Sequence, residues 1–212
     1  MKSSDTSRKP VIGLIGGIGS GKSAVAAEFA RHGGRIISGD ALGHEALRQP
    51  AIRGRVVERF GRGILGPDGE IVRRELGRIV FADPIARRDL EGLVFPYIEA
   101  RIRDEIEAAQ SAADMRFVLL DAAIMLETGW NKVCDWLVYI HVPRAMRLDR
   151  LQRQRGWSEK EVTAREQAQI PLTDKASHAD FTVDNSGALA ETGRQVYNLL
   201  QHLGLVPSSK SD

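Results

Sequence analysis

Cysteine is almost missing from this sequence: Cys134 is the only one in 212 residues. A lone thiol excludes a disulfide framework and a thiolate metal cage, and it fits a reducing intracellular compartment, the cytoplasm. Long apolar runs are missing too. No stretch approaches the ~18 residues of a membrane span, and the polar opening MKSSDTSRKP has no apolar stretch of the signal-peptide type behind it. Those ten residues are expected to be a floppy leader. Charge of one sign is scarce in sum. The 30 Lys and Arg against 28 Asp and Glu leave +2, too little for a broad basic face on nucleic acid. Neither a nucleic-acid partner, a membrane nor an obligate protein partner is expected. No internal repeat and no low-complexity tract is present.

What is there is an alternation of short apolar runs with helical patterns. Val11-Ile12-Gly13-Leu14-Ile15 reads as a strand buried on both faces, followed by an alanine-rich helix over 23–31 that stops at Gly33-Gly34. Residues 35–38 read as a second strand, 117–121 as a third, 136–142 as a fourth and 181–183 as a fifth, stopped by Asp184-Asn185-Ser186-Gly187. A helix from about 188 to 203 closes the chain. This pattern predicts an α/β fold with a five-stranded parallel sheet covered on both sides, in which ligands bind beyond the carboxyl ends of the strands. The glycine-rich stretch after the first strand, Asp40 and Asp121 all fall at such ends.

Roughly eighty residues separate the second and third strands, too many for one crossover helix. Periodicity makes the insert helical: Ile52, Val56, Val57 and Phe60 share one face, Leu76, Ile79 and Val80 another, and Leu90 to Ile106 continue at three-and-four spacing. Pro84 is expected to start a helix there, Pro96 to break or kink it, and Gly66-Pro67-Asp68-Gly69 to turn the chain. The whole reads as one domain: a core at about 11–40, 114–143 and 176–205, a helical lobe at about 41–113, and a further segment at about 144–175.

The pattern G-x-x-x-x-G-K-[ST] is complete as Gly16-Gly17-Ile18-Gly19-Ser20-Gly21-Lys22-Ser23, with a strand before it and a helix after. Glycines let successive N–H groups turn inward around phosphates, and the helix start adds partial positive charge. Lys22 reaches the β- and γ-phosphates, and the Ser23 hydroxyl is placed to ligate Mg²⁺. This motif makes the fold a three-layer P-loop nucleotide-binding one; by itself it does not say whether the protein is a kinase, an ATPase or a GTPase. The candidate contacts are Gly17, Gly19, Ser20, Gly21, Lys22, Ser23 and Ala24. The five histidines (32, 44, 141, 178, 202) lack ligand spacing, so no metal is expected beyond the Mg²⁺ that accompanies ATP.

A GTPase would need N-K-x-D after a strand. Asn131-Lys132-Val133-Cys134-Asp135 has one residue too many and precedes a strand. After the fourth strand come five arginines (144, 147, 150, 153, 155) against one acid, Asp149. A solvated helix face is the plain reading. A lid that closes arginines over a transferring phosphoryl group is the functional one, worth ~10³ or more in rate and excluding water besides. Asp40 stands where an acceptor hydroxyl meets the γ-phosphate and is the candidate base, a helix N-cap being its structural alternative. Asp121 ends its strand as a Walker-B-type acid near Mg²⁺ would, an ordinary strand-end turn being its alternative.

The P-loop, the aspartate after the second strand, Leu126-Glu127-Thr128-Gly129, Arg165-Glu166-Gln167-Ala168-Gln169-Ile170-Pro171-Leu172 with Lys175, and Ala179-Asp180-Phe181-Thr182-Val183-Asp184-Asn185-Ser186-Gly187 together resemble the dephospho-CoA kinase family, in order from about 11 to about 203. The resemblance implies ATP-dependent phosphorylation of the ribose 3′-hydroxyl of dephospho-coenzyme A, a helical acceptor lobe after the second strand and a lid after the fourth. It implies Asp40 as base, Lys22 and Ser23 on the phosphates and Mg²⁺, Arg153 or Arg155 as lid arginines, and Asn185 and Gly187 near the adenine. Five positions depart from the family's usual pattern: Ser38 replaces the first acid of Asp-x-Asp, Phe95 a histidine before Pro96, Ala122-Ala123 a Val-Pro pair, and Ala24 a threonine. The rivals are another small-molecule kinase of the same architecture, told apart by acceptor preference, and a P-loop regulator that holds nucleotide without transferring phosphate.

Overall fold

The five apolar runs pair as one all-parallel sheet in the order β2-β3-β1-β4-β5, where β1 is Val11–Gly16, β2 Gly34–Ser38, β3 Phe117–Asp121, β4 Trp136–His141 and β5 Phe181–Asp184. The computed structural model describes residues 8–207. Every residue of β1 is buried, which is why the central strand reads as a continuous apolar run rather than an alternating one. The register sets Ser38 beside Asp121, Gly16 beside Ile140 and His141 beside Asp184, so the carboxyl ends of all five strands reach one edge.

Two helices, α1 (Lys22–Ala30) and, as the last helix of the chain, α10 (Leu189–His202), cover the sheet through a core of Ile12, Leu14, Val25, Phe29, Phe117, Leu119, Val138, Ile140, Val196 and Leu200. Phe29 and Phe117 meet edge to face at 6.2 Å. Each such fully buried side chain contributes about 1.5–3 kcal/mol. Residues 8–38 with 105–207 make this unit, and Gly39–Asp104 make a second, helical one.

The helical unit holds α2 (Gly39–Arg48), α3 (Pro50–Phe60), α4 (Arg73–Ala82) and most of α5 (Pro84–Ser111). Its own core is Val56, Ile64, Leu76, Val80 and Ala86, ringed by Ile52, Val57, Phe60 and Leu90, close to the faces that periodicity predicts. Gly66 to Gly69 is the expected turn, closed by a hydrogen bond from the Gly69 N–H to the Gly66 carbonyl and clasped by a Leu65–Ile71 bridge. Pro96 does not break α5. Its ring comes opposite the carbonyl of Gly92, an exposed residue without a side chain, and buried Val94, Ile98 and Ile102 carry the helix on past the lost backbone bond.

The helical unit ends at Asp104, short of the expected 113, because the last turns of α5 are anchored to the sheet unit. Arg35 of β2 pairs with Glu105. Lys9 donates from Nζ to the carbonyls of Ala109, Gln110 and Ala112, satisfying the orphan end of the helix with a cation. Arg8 pairs with Asp135, whose other oxygen accepts the Val11 N–H at 2.7 Å. Residues 8–10 are thus part of the fold rather than the floppy leader expected of them; the leader's first seven residues lie outside the described ones. Asp135, the acid of the imitation N-K-x-D, is thereby occupied in starting β1.

Between β4 and β5 run α7 (Arg144–Arg155), α8 (Glu159–Gln167) and α9 (Leu172–Ser177). Preceding them, α6 (Met125–Thr128) follows β3. Gly156 ends α7 in the left-handed conformation, and Ser158 with Glu161 forms a reciprocal capping box that starts α8. The two bonds from Ser158 hold the Glu161 carboxyl below its usual range. Among the described residues no helix is long and apolar enough to cross a membrane.

Candidate active site

The helix α1 begins directly after Gly21, with no side-chain cap and no acid in its first turn. Its leading N–H groups and its dipole are therefore directed at whatever anion sits before it. Gly19 and Gly21 have φ of 78° and 77°, a region that side chains rarely adopt. Space forbids a side chain as well: a Cβ on Gly21 would stand 2.6 Å from Asn185 Nδ2, and one on Gly17 2.9 Å from Arg147 Nη1. The Ser20 hydroxyl is buried without a partner among the described residues. Ser23 Oγ donates to Asp121 Oδ2 at 3.4 Å, so a hydroxyl and a carboxylate, both hard oxygen donors, come together from α1 and the end of β3. That pair fits a Mg²⁺ that keeps waters and substrate phosphates as its other ligands. Among the described residues no cluster of three or more His, Cys, Asp or Glu is placed to hold a metal by protein alone.

The loop is braced from behind by Asn185. Its Nδ2 donates to the Ser20 carbonyl at 2.9 Å, its Oδ1 accepts from Thr192 Oγ1 at 3.0 Å, its N–H donates to His141 and its carbonyl accepts from Arg150 Nη2 at 2.8 Å. Asn185 and Thr192 are both buried. Asp184 makes the turn after β5 by accepting the Ser186 N–H, and the Ser186 bonds hold its carboxyl below the usual range. Gly187, one residue on, is exposed with open space around it. Asn185→Ala leaves the Thr192 hydroxyl and the Ser20 carbonyl short of a partner. We expect it to lose about 1–3 kcal/mol of stability, read by urea unfolding, with a raised KM for the nucleotide.

The arginine stretch divides by face. Arg147 is buried to 3% exposure and donates to the Ile18 carbonyl of the loop at 3.0 Å, to the Val142 carbonyl and to Glu166 of α8 at 2.7 Å. Arg144 reaches the other Glu166 oxygen as well as Glu159. Arg150 lies beside Gly21 and Asn185. Arg153 instead pairs with Asp149 in solvent, and Arg155 stacks on Trp157, whose ring also carries Arg165 at 4.0 Å. The residues of the stretch that touch the loop are therefore Arg147 and Arg150. The sequence holds a faint sign of this, since 147 and 150 share a helix face three residues apart, but periodicity does not say which face turns inward.

Glu127 and Lys175, 48 residues apart in sequence, form a further pair at 2.9 Å, with Lys175 at 1% exposure. Lys175 also donates to the Ala123 carbonyl, and Glu127 accepts the Ile170 N–H. This ties α6 to the segment before α9. Removing one charge of a buried pair strands the other. Glu127→Leu is expected to cost about 3–5 kcal/mol, Lys175→Met clearly less because Glu127 keeps some solvent, and the double variant should recover most of the loss. Thermal unfolding of the three checks the order.

Asp40 lies in the first turn of α2 rather than at its N-cap, exposed, two residues after Ser38. Lys22 opens α1 and Ala24 follows Ser23 in its first turn.

The family model described as dephospho-CoA kinase matches residues 10–191. The chain is 38% identical over 192 residues to a dephospho-CoA kinase of Bacillus licheniformis, covering 90% of this chain and 94% of that one. It is 41% identical over 191 residues to one of Geobacter metallireducens, covering 89% and 94%. Among solved structures it is similar to TT1252 from Thermus thermophilus, with a TM-score of 0.78 and 30% identity over 92% of this chain and 98% of the other.

Proposed function

This chain belongs to the dephospho-CoA kinase family, and on that footing we propose which of its residues do the work. The protein transfers the γ-phosphoryl group of ATP to the ribose 3′-hydroxyl of dephospho-coenzyme A, giving coenzyme A and ADP, the last step of coenzyme A synthesis. The observation that carries this is the family match over residues 10–191; the uncapped start of α1 behind its glycine loop supports the ATP half.

The N–H groups of the loop and Lys22 bind the β- and γ-phosphates and neutralise charge that moves onto the leaving oxygen. Ser23 and Asp121 would hold Mg²⁺, which supplies charge neutralisation and orientation of the phosphates when bound. Asp40 accepts the proton of the 3′-hydroxyl as its oxygen attacks the γ-phosphorus. That P–O bond forms while the bond to the β–γ bridging oxygen breaks, and ADP leaves. Ser38, where the family's pattern has an acid, is in register with Asp121, so this chain works with one carboxylate fewer at that edge. Arg150 stands ready beside Gly21. Arg153 and Arg155 are the arginines that would close over the phosphates from outside, exchanging Asp149 and Trp157 for the nucleotide. Arg147 is a positioning residue that links the loop to α8. We place the activity in the cytoplasm.

The test is ADP release by the purified protein with Mg·ATP, with and without dephospho-coenzyme A, with AMP and adenosine as control acceptors. Strong stimulation by dephospho-coenzyme A and weak stimulation by the controls is the expected result. Equal stimulation by AMP would assign the fold to a nucleotide kinase instead, and none by any acceptor would leave only nucleotide binding.

A further inference from the structure

The helical unit contains a polar groove of about 250 Å³ lined by His44, Leu47, Arg48, Asp68, Glu70, Ile71 and Arg73. Its charges are unevenly engaged. Glu70 takes Arg53 at 2.6 Å, and Asp68 accepts the Glu70 N–H at 3.1 Å, so the two acids are committed to the turn that shapes the groove. Arg48 and Arg73 have no ion pair or hydrogen bond from their guanidinium groups among the described residues, and both are exposed.

The line of these groups begins at Asp40. Asp40, His44 and Arg48 recur every four residues on one face of α2, so His44 is about one turn, ~5.4 Å, beyond Asp40 and Arg48 one turn further. Arg73 is brought to the same place as the first residue of α4. Burial, then the nearby Arg73 and Arg48, hold His44 below its usual pKa against the pull of Asp40. Its imidazole is neutral near pH 7 and offers one N–H.

A ligand for this groove is an anion with several oxygens, reached from the point where the acceptor hydroxyl is deprotonated. The acceptor carries such a group: its diphosphate is esterified to the 5′-oxygen of the very ribose whose 3′-hydroxyl reacts, a few bonds away. We propose that His44, Arg48 and Arg73 form the subsite for the acceptor's diphosphate, a reading that rests on the function above and on Asp40 as base. Two guanidinium forks on separate helices suit two linked phosphates better than one, because each fork can take a pair of oxygens. The subsite gives the enzyme a means to prefer dephospho-coenzyme A over adenosine, which lacks the diphosphate altogether.

The experiment uses Arg48→Gln, Arg73→Gln and the double variant in the full chain, with dephospho-coenzyme A and adenosine as acceptors. Each single variant should raise the KM for dephospho-coenzyme A about tenfold to a hundredfold, the double variant more, with the KM for ATP within twofold of the parent. Loss of kcat/KM toward adenosine should stay below twofold, and Arg73→Lys should recover part of the affinity. An unchanged KM for dephospho-coenzyme A overturns the subsite. So does an equal loss with both acceptors and ATP, which would mark the arginines as structural. If the parent itself does not use dephospho-coenzyme A, it is the functional reading that fails, and the parent assay shows this before any variant is measured.

Discussion

Asp40→Asn should bind ATP as tightly as the parent and lose about 10²–10⁴-fold in kcat, the usual contribution of a positioned general base. The substitution keeps the size of the side chain and its place in the first turn of α2. Only the capacity to take the hydroxyl proton is removed, together with one favourable charge at a helix start, worth about 0.3–1 kcal/mol. The fold should therefore survive, and a thermal melt checks that it does. Titration with a fluorescent ATP analogue measures binding, and a coupled ADP assay measures turnover. Turnover within a few-fold of the parent would remove Asp40 from the chemistry and return it to helix initiation.

Lys22→Ala should behave differently, losing nucleotide affinity and turnover together. Lys22 opens α1 directly after the left-handed Gly21, so its ammonium adds a full charge to the partial charge of an uncapped helix start. Phosphoryl transfer depends mostly on positioning and neutralisation. Removing one donor aimed at developing charge costs about 10²–10³-fold in kcat, and in the proposed role the same group also binds the ground-state phosphates. The expected pattern is a fall of at least that size in kcat/KM, divided between a raised KM for ATP and a lowered kcat. A change in KM alone would mean that Lys22 binds ground and transition states equally.

The two variants separate two proposed roles. Asp40 is carried by the helical unit and Lys22 by the sheet unit, so a loss confined to kcat in one and shared with KM in the other is a signature of their different roles. The acceptor variants add a third pattern, confined to the KM for dephospho-coenzyme A.

Much of this protein is legible from local rules. The strands announce themselves because parallel strands buried on both faces need unbroken apolar runs, as β1 and β3 show. The phosphate loop is legible because its glycines, lysine and serine must be adjacent in the chain to surround a phosphate. Two helical faces of the insert follow from three-and-four spacing and meet in a core around Val56, Leu76 and Val80, although Ile79, expected on the second of them, is exposed.

The misreadings share a cause. Pro96 looked like a break because the rule for proline is local, whereas α5 continues through it on buried Ile98 and Ile102. Residues 8–10 looked loose because polarity is local, whereas Lys9 is bonded to carbonyls a hundred residues away. Asn185, for which the resemblance implies a place near the adenine, also sets its side chain against the Ser20 carbonyl and Thr192, a bracing contact that no local rule announces.

The amino-acid order by itself determined the elements, the sheet class, the nucleotide loop and, through the spacing of several motifs, the family, because each of these depends on neighbours within a turn or a strand. Only the tertiary structure decided which arginines face the loop, that Glu127 and Lys175 are one buried pair, and that Arg48 and Arg73 share a groove with His44. Those are matters of distance between residues far apart in the chain. A charged side chain looks the same in sequence whether water, a carboxylate or a backbone carbonyl will satisfy it, and only packing settles which of the three it meets.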